Sequence, residues 1–81
     1  MDAKKIGEII SFHRKKSGLT QKQLAELAGV GKSVVFDTEK GKETIQLNSL
    51  VKILEVLNIT MELKSPLIHL MENRDEKSEG V

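Results

Sequence analysis

Residues 20–41 read TQKQLAELAGVGKSVVFDTEKG, and this stretch decides the fold. Thr20 followed three residues later by Gln23 is a capping box, in which the hydroxyl accepts from the Gln23 amide while the Gln side chain returns to the Thr20 amide. A helix is therefore predicted to start there. Behind the box Leu24, Leu27 and Ala28 recur at spacings of three and four, so this helix is expected to bury one face over about two turns. Ala25 is small, as a close, steep crossing with a second helix requires. Gly29 stands where a left-handed residue ends a helix cheaply, and Val30 supplies an apolar plug for the turn. Gly31 then occupies the N-cap of a second helix, predicted over Lys32 to Glu39, although Ser or Thr would cap it better.

Two short helices cornered by glycine form a helix-turn-helix pattern. In the second helix Val35 and Thr38 are expected to face the core, with Val34 at its edge, which turns Lys32, Ser33, Phe36 and Asp37 outward. A helix exposed in this way fits the major groove, where each base pair displays a distinct set of donors and acceptors. Its amino end also directs partial positive charge at phosphate. Those four residues are the candidates for base contact. The same hairpin would suit a small helical bundle, but the capping box, Ala25, the G-V-G turn and the E-K-G ending are all in register, which favours double-stranded DNA.

At these residues the chain resembles a known class. T-Q-K-Q-L-A, A-G-V-G and E-K-G look like the phage repressor and Cro (XRE) class of helix-turn-helix regulators, over about residues 6–59. The more specific likeness is to HipB-type antitoxins, which add a short β-strand after the last helix; L-V-K-I-L-E-V-L-N-I-T-M-E-L is similar to that junction. The resemblance implies a mainly α, four- or five-helix repressor-like domain over residues 1–58. It further implies a strand at 59–64 that pairs across a dimer, and a short helix with a polar tail over 65–81. It also implies an ion pair between Arg14 and Glu39, at the positions where the repressor class joins its first helix to the end of the reading helix. Glu39 closes a helix at an end where a carboxylate is electrostatically unwelcome, which is an independent reason for it to need a cation.

The composition bounds the alternatives. Eighty-one residues make one small domain, near the size at which a core can barely support itself, so self-association would help. With no cysteine, a disulfide framework and a thiolate metal site are unavailable, and a reducing cytoplasm is the default expectation. No apolar run approaches the length of a membrane span. Phe12 and Phe36 are the only aromatic residues, too few for the stacking surfaces that take single strands. The net charge of +1 conceals a division: residues 1–42 carry nine Lys or Arg against five acids, and residues 43–81 carry four against seven. The basic half contains the reading helices, which points to a phosphate-facing side.

Outside the central pair, Ile6, Ile9, Ile10 and His13 recur at helical spacing between about Asp2 or Ala3 and Ser17, with Gly18 as terminator. His13 reads as a packing residue, and neither a metal nor any other cofactor is expected. Gln21 and Lys22 at the start of the first reading helix, and Lys40, Lys42 and Thr44 beyond the second, are placed to grip phosphate and set register without reading sequence.

A further helix is predicted from about Leu47 to Leu57. Its stripe of Leu47, Leu50, Val51, Leu54 and Leu57 is widened by Ile53 and Val56 beyond one packing face. The excess is either a dimer interface or the girth of a monomer's central helix. ITMELK at 59–64 alternates, with Ile59, Met61 and Leu63 on one side, as a half-buried strand does. A lone strand leaves its N–H and C=O groups unpaired, and the same strand of a second copy, antiparallel about a two-fold axis, would satisfy them. Ile53, Val56, Ile59, Met61 and Leu63 are accordingly the expected dimer interface. Such a homodimer calls for a palindromic operator.

Ser65 and Pro66 could open a last helix, in which Leu67, Ile68, Leu70 and Met71 form an apolar patch. That patch either covers the dimer sheet or docks a protein, such as the HipA-like kinase toxin that the resemblance implies. ENRDEKSEGV, after it, reads as a polar, disordered tail. No nucleophile-base grouping, phosphate-cradling loop or paired histidine marks an enzyme.

Overall fold

The computed structural model describes residues 2–72, and within them the chain is mainly helical. Four helices follow in order: α1 (Ala3–Lys16), α2 (Gln21–Ala28), α3 (Lys32–Glu39) and α4 (Leu47–Val56). Of the predicted polar tail, residues 72–81, Glu72 is helical and residues 73–81 lie outside the described residues.

The helix boundaries follow from local chemistry. Asp2 caps α1 by accepting from the Lys5 amide at 2.8 Å. Thr20 and Gln23 make both bonds of the capping box, at 3.0 and 2.9 Å. Gly29 ends α2 at φ 72°, and its position lets the Val30 amide return to the Ala25 carbonyl at 3.0 Å. α3 begins at Gly31 without a side-chain cap. Its buried Thr38 instead bonds back to the Val34 carbonyl at 2.6 Å, which satisfies a hydroxyl that burial would otherwise strand.

The core is a single cluster of Ile10, Leu24, Ala25, Val35, Leu50, Ile53, Leu54 and Leu57, drawn from all four helices. Ile10, Leu24, Val35 and Ile53 are fully enclosed. α2 and α3 pack on each other, α1 lies against α3, and α4 closes the cluster from the side of α2. Two glycines permit the closest approaches. A Cβ on the buried Gly7 of α1 would strike the Thr38 carbonyl oxygen and lie 2.8 Å from that of Glu39, so α1 meets the end of α3 backbone to backbone. Gly41 combines φ 86° with a path in which a Cβ would come within 2.8 Å of the Lys4 Cα, which leaves glycine as the residue that fits both demands.

Two expectations need correction. Leu27 is 64% exposed rather than buried. The buried arc of α2 is Leu24, Ala25 and Ala28, and Leu27 lies roughly 110° round the axis from its centre. Ile53, expected at the dimer surface, is fully enclosed within one chain. The buried arc of α4 runs through Leu50, Ile53, Leu54 and Leu57, which leaves Leu47 and Val51 on one exposed flank and the half-buried Val56 on the other. Residues 59–65 are not helical and form no strand pairing with another segment among the described residues; the strand expected at 59–64 is one that pairs with a second copy. Ile59 folds back on the core, while Met61 and Leu63 stand exposed. The chain then turns at 66–67, with the Ser65 hydroxyl accepting from the Leu67 amide at 3.3 Å, and is helical again at 68–72.

Candidate nucleic-acid interface

The outward face of α3 is built by what its inward face is required to do. Val35 and Thr38 are drawn into the core, and helical geometry then turns Lys32, Ser33 and Phe36 to solvent. Asp37 is half-buried, at the margin of that face. A convex, exposed helix crossing its neighbour is the shape that enters a major groove.

Two shallow depressions flank it. The first is lined by Ser11, Arg14, Lys15, Gln21, Phe36, Glu39 and Lys40, where the end of α1, the start of α2 and the end of α3 converge. The second is lined by Val34, Asp37, Lys42, Thr44, Ile45, Gln46 and Ser49, on the opposite side of α3. Four of the five residues expected at phosphate, Gln21, Lys40, Lys42 and Thr44, line one depression or the other; Lys22 is exposed on α2. Lys15 was not singled out by the sequence, where it is one of four consecutive basic residues, His13 to Lys16, at the end of α1. Only the convergence of three elements distinguishes it.

The first depression has a fixed floor. Arg14 donates from Nε to Glu39 Oε2 at 2.6 Å, from Nη2 to Oε1 at 3.1 Å, and from Nη1 to the Leu19 carbonyl at 2.8 Å. Gln21 Nε2 donates to Glu39 Oε1 at 3.1 Å. Burial alone would raise the Glu39 pKa, but hydrogen bonds from Arg14 and Gln21, with the charges of Arg14 and Lys15, hold it below the ordinary carboxylate value. The hydrogen bond to Glu39 raises the Arg14 pKa in turn, against the opposing effect of burial. The pair thus stays charged, and its internal neutralisation removes a negative charge from a surface that would face phosphate. One Gln21 amide proton is used in this network, and the backbone N–H groups at the start of α2 offer further donors to an anion.

Asp37 is paired with Lys42, whose Nζ approaches its Oδ2 at 3.4 Å. Lys40 instead places its ammonium 5.5 Å from the centroid of the Phe36 ring. Off this face, His13 is half-buried with Nδ1 2.7 Å from the Ile9 carbonyl oxygen, and no group of three or more potential metal ligands occurs among the described residues.

The sequence pattern of the helix-turn-helix family HTH_3 matches residues 12–64, which include α2, α3, α4 and the end of α1. The chain belongs to that family. It is a helix-turn-helix transcriptional regulator of the XRE type, consistent with its similarity to two curated proteins. One is an uncharacterised HTH-type transcriptional regulator, y4mF, of Sinorhizobium fredii, 34% identical over 61 residues that are 75% of this chain and 80% of that protein. The other is an uncharacterised HTH-type regulator of Haemophilus influenzae, 38% identical over 58 residues, 72% of this chain; the match spans 58% of that relative's length. The fold is also that of HipB. Two solved structures, a HipB–O4 20mer complex and a HipA–HipB–O2–O3 complex, each superpose with a TM-score of 0.73 at 23% identity; each match covers 82% of this chain and 93% of the HipB chain. The described residues contain no helix long and apolar enough to cross a membrane.

Proposed function

We propose that this regulator is a dimeric, sequence-specific repressor that occupies a palindromic operator, that of its own operon, and serves as the antitoxin of a HipA/HipB-type pair. The observation that carries the DNA-reading half is the α3 face: Lys32 and Ser33 are exposed at its amino-terminal turn between two depressions that offer Lys15, Lys40 and Lys42 to phosphate. Lys32 and Ser33 are the first readers, Phe36 the next, and Asp37, tied to Lys42, the least. The antitoxin half is supported by the fold shared with HipB, which is found in complex with HipA in one solved structure.

The dimer is supported by an apolar groove on α4. Leu47, Val51, Leu54, Ile59, Met61 and Leu63 line it, and Leu47, Val51, Met61 and Leu63 are exposed in a single chain. Pairing of residues 59–64 with a second copy would satisfy their backbone and cover this groove together. Relative to the sequence expectation, Leu47 and Val51 replace Ile53 and Val56 as the contribution of α4. The exposed Leu67, Leu70 and Met71 extend the same apolar character and are available either to the second copy or to a toxin. A stand-alone regulator with no toxin partner would use the same α3 face and the same groove.

The test is a mobility shift of the full chain against the DNA upstream of its gene, beside a sizing measurement and co-expression with the neighbouring gene product. A retarded dimer complex resistant to non-specific competitor is expected, with co-purification at fixed stoichiometry if the neighbour is its toxin. Equal affinity for all duplexes would remove the operator reading.

A further inference from the structure

Phe36 is 46% exposed on the face of α3 that also carries Lys32, Ser33 and Lys40, at intervals of three and four residues. Beside Lys32, Ser33 and Lys40 it is the apolar side chain of that face, and covering it with another apolar group would be favourable. It has no donor or acceptor. The Lys40 ammonium stands over the ring at 5.5 Å, which favours that setting of the ring and places a cation beside it for the phosphate backbone. The ring also forms part of the wall of the depression that holds Gln21, Lys15 and Lys40, so it stands beside the groups that would hold phosphate.

On that floor nearly every group is a hydrogen-bond donor or acceptor. Guanine shows N7 and O6, adenine N7 and its amine, and cytosine its amine; thymine alone adds a carbon, the 5-methyl group. A ring pressed on any of the polar groups would strip water from them and return nothing. Pressed on the methyl, it loses no hydrogen bond and buries apolar surface on both sides.

We infer that Phe36 is a specificity-determining residue that reads a pyrimidine 5-methyl group in each half-site, carried by thymine or equally by 5-methylcytosine, with Lys40 positioning the ring. The inference rests on the DNA-reading function proposed above, and it adds a consequence: an operator with cytosine at that position of a half-site would be occupied more when the base is methylated.

The test starts with the duplex that the full-length chain selects from a randomised pool, and then replaces each thymine in turn by deoxyuridine, which deletes the methyl and nothing else. One position per half-site is expected to weaken binding by about fourfold, and substitution of both half-sites by about fifteenfold, the equivalent of one buried methyl each. Phe36→Ala, checked for an unchanged thermal transition, is expected to bind the thymine and deoxyuridine duplexes alike. At the same position, exchange of the T·A pair for C·G should weaken binding, and 5-methylcytosine should recover about fourfold in the unmodified protein alone. Deoxyuridine tolerated at every thymine, an undiminished methyl effect in Phe36→Ala, or no recovery with 5-methylcytosine would each overturn the inference while leaving operator binding intact. Failure of the pool to yield any preferred sequence would overturn the DNA-reading function itself, and the inference with it.

Discussion

Arg14 and Glu39, 25 residues apart in the chain, share a two-pronged ion pair with Nε–Oε2 at 2.6 Å and Nη2–Oε1 at 3.1 Å, their side chains 11% and 7% exposed. The pair joins the last turn of α1 to the last residue of α3, and the third Arg14 bond, to the Leu19 carbonyl, ties in the loop that leads to α2. The orientation of the reading helix is thereby set from its carboxyl end. Replacing Arg14 by Ala leaves a nearly enclosed carboxylate with only Gln21 as partner, a loss of about 3 kcal/mol. For a domain of this size that corresponds to a melting temperature lower by roughly 12–24 °C. A variant that melted within a degree of the parent would show the pair to be ornamental.

The same pair sets an acid limit. Because Glu39 titrates lower in the folded protein than in the unfolded chain, its contribution is complete above the ordinary glutamate pKa of about 4.3. It is lost as pH falls below that value through the folded-state pKa, where the unfolded chain binds the proton more readily. Arg14 stays charged throughout. Urea melts of the parent and of Glu39→Gln, taken between pH 6 and about pH 3, should converge as pH falls, because the variant has no carboxyl to protonate at this position. A constant gap across that range would mean that Glu39 does not titrate in this way.

Gly7→Ala probes the other contact between α1 and α3. Alanine favours a helix by roughly 1 kcal/mol over glycine, but here its Cβ would meet the carbonyls of Thr38 and Glu39, backbone atoms that cannot swing aside. Overpacking of this kind costs about 1–3 kcal/mol, so the net effect is destabilising and displaces the reading helix. Calorimetry should show a lower transition for Gly7→Ala and none of that loss for Glu8→Ala, whose side chain is exposed. An increase in stability on Gly7→Ala would mean that the helices stand further apart than described.

Much of this fold was legible in the sequence because its signals are local. The Thr20–Gln23 box, Gly29 in the left-handed region and the span Lys32–Glu39 all depend on neighbours within a few residues, and the structure has them as the spacing implies. What was not legible depends on rotation about a helix axis or on convergence of distant segments. Leu27 and Ile53 exchanged solvent and core because an apolar stripe wider than one face does not say where its centre lies. Gly7 carries no pattern of its own; its role exists only because α3 passes over it. The Lys42–Asp37 contact and the Gln21–Glu39 bond likewise join ends of helices whose relative placement periodicity does not encode.

Base reading and phosphate gripping should separate by salt and sequence. Lys32→Ala, at an exposed position on the α3 face, should cost about 1–3 kcal/mol against the preferred duplex and relax choice at one base pair. Lys15→Ala, in the depression beside Gln21, should weaken all duplexes to a similar extent and reduce the slope of log affinity on log salt by about 1. Competition binding at several salt concentrations reads both. Interchanged behaviour of the two variants would place the groove on the wrong side of α3.

Assembly is tested by a contrast between two apolar residues that the sequence placed together at the dimer interface and the structure separates. Leu63 is 79% exposed in the single chain, beside the groove of Leu47, Val51 and Met61, whereas Ile53 is wholly enclosed. Leu63→Asp removes no contact from the core, so its cost should fall on association alone: a monomer by light scattering, with the helical content of the parent and weakened binding to a two-half-site duplex. Ile53→Ala opens a cavity and should cost about 2–5 kcal/mol of subunit stability, with self-association changed only as far as folding is. If Leu63→Asp remained dimeric at micromolar concentration, the second copy would have to sit elsewhere, and the exposed groove beside α4 would need a different occupant.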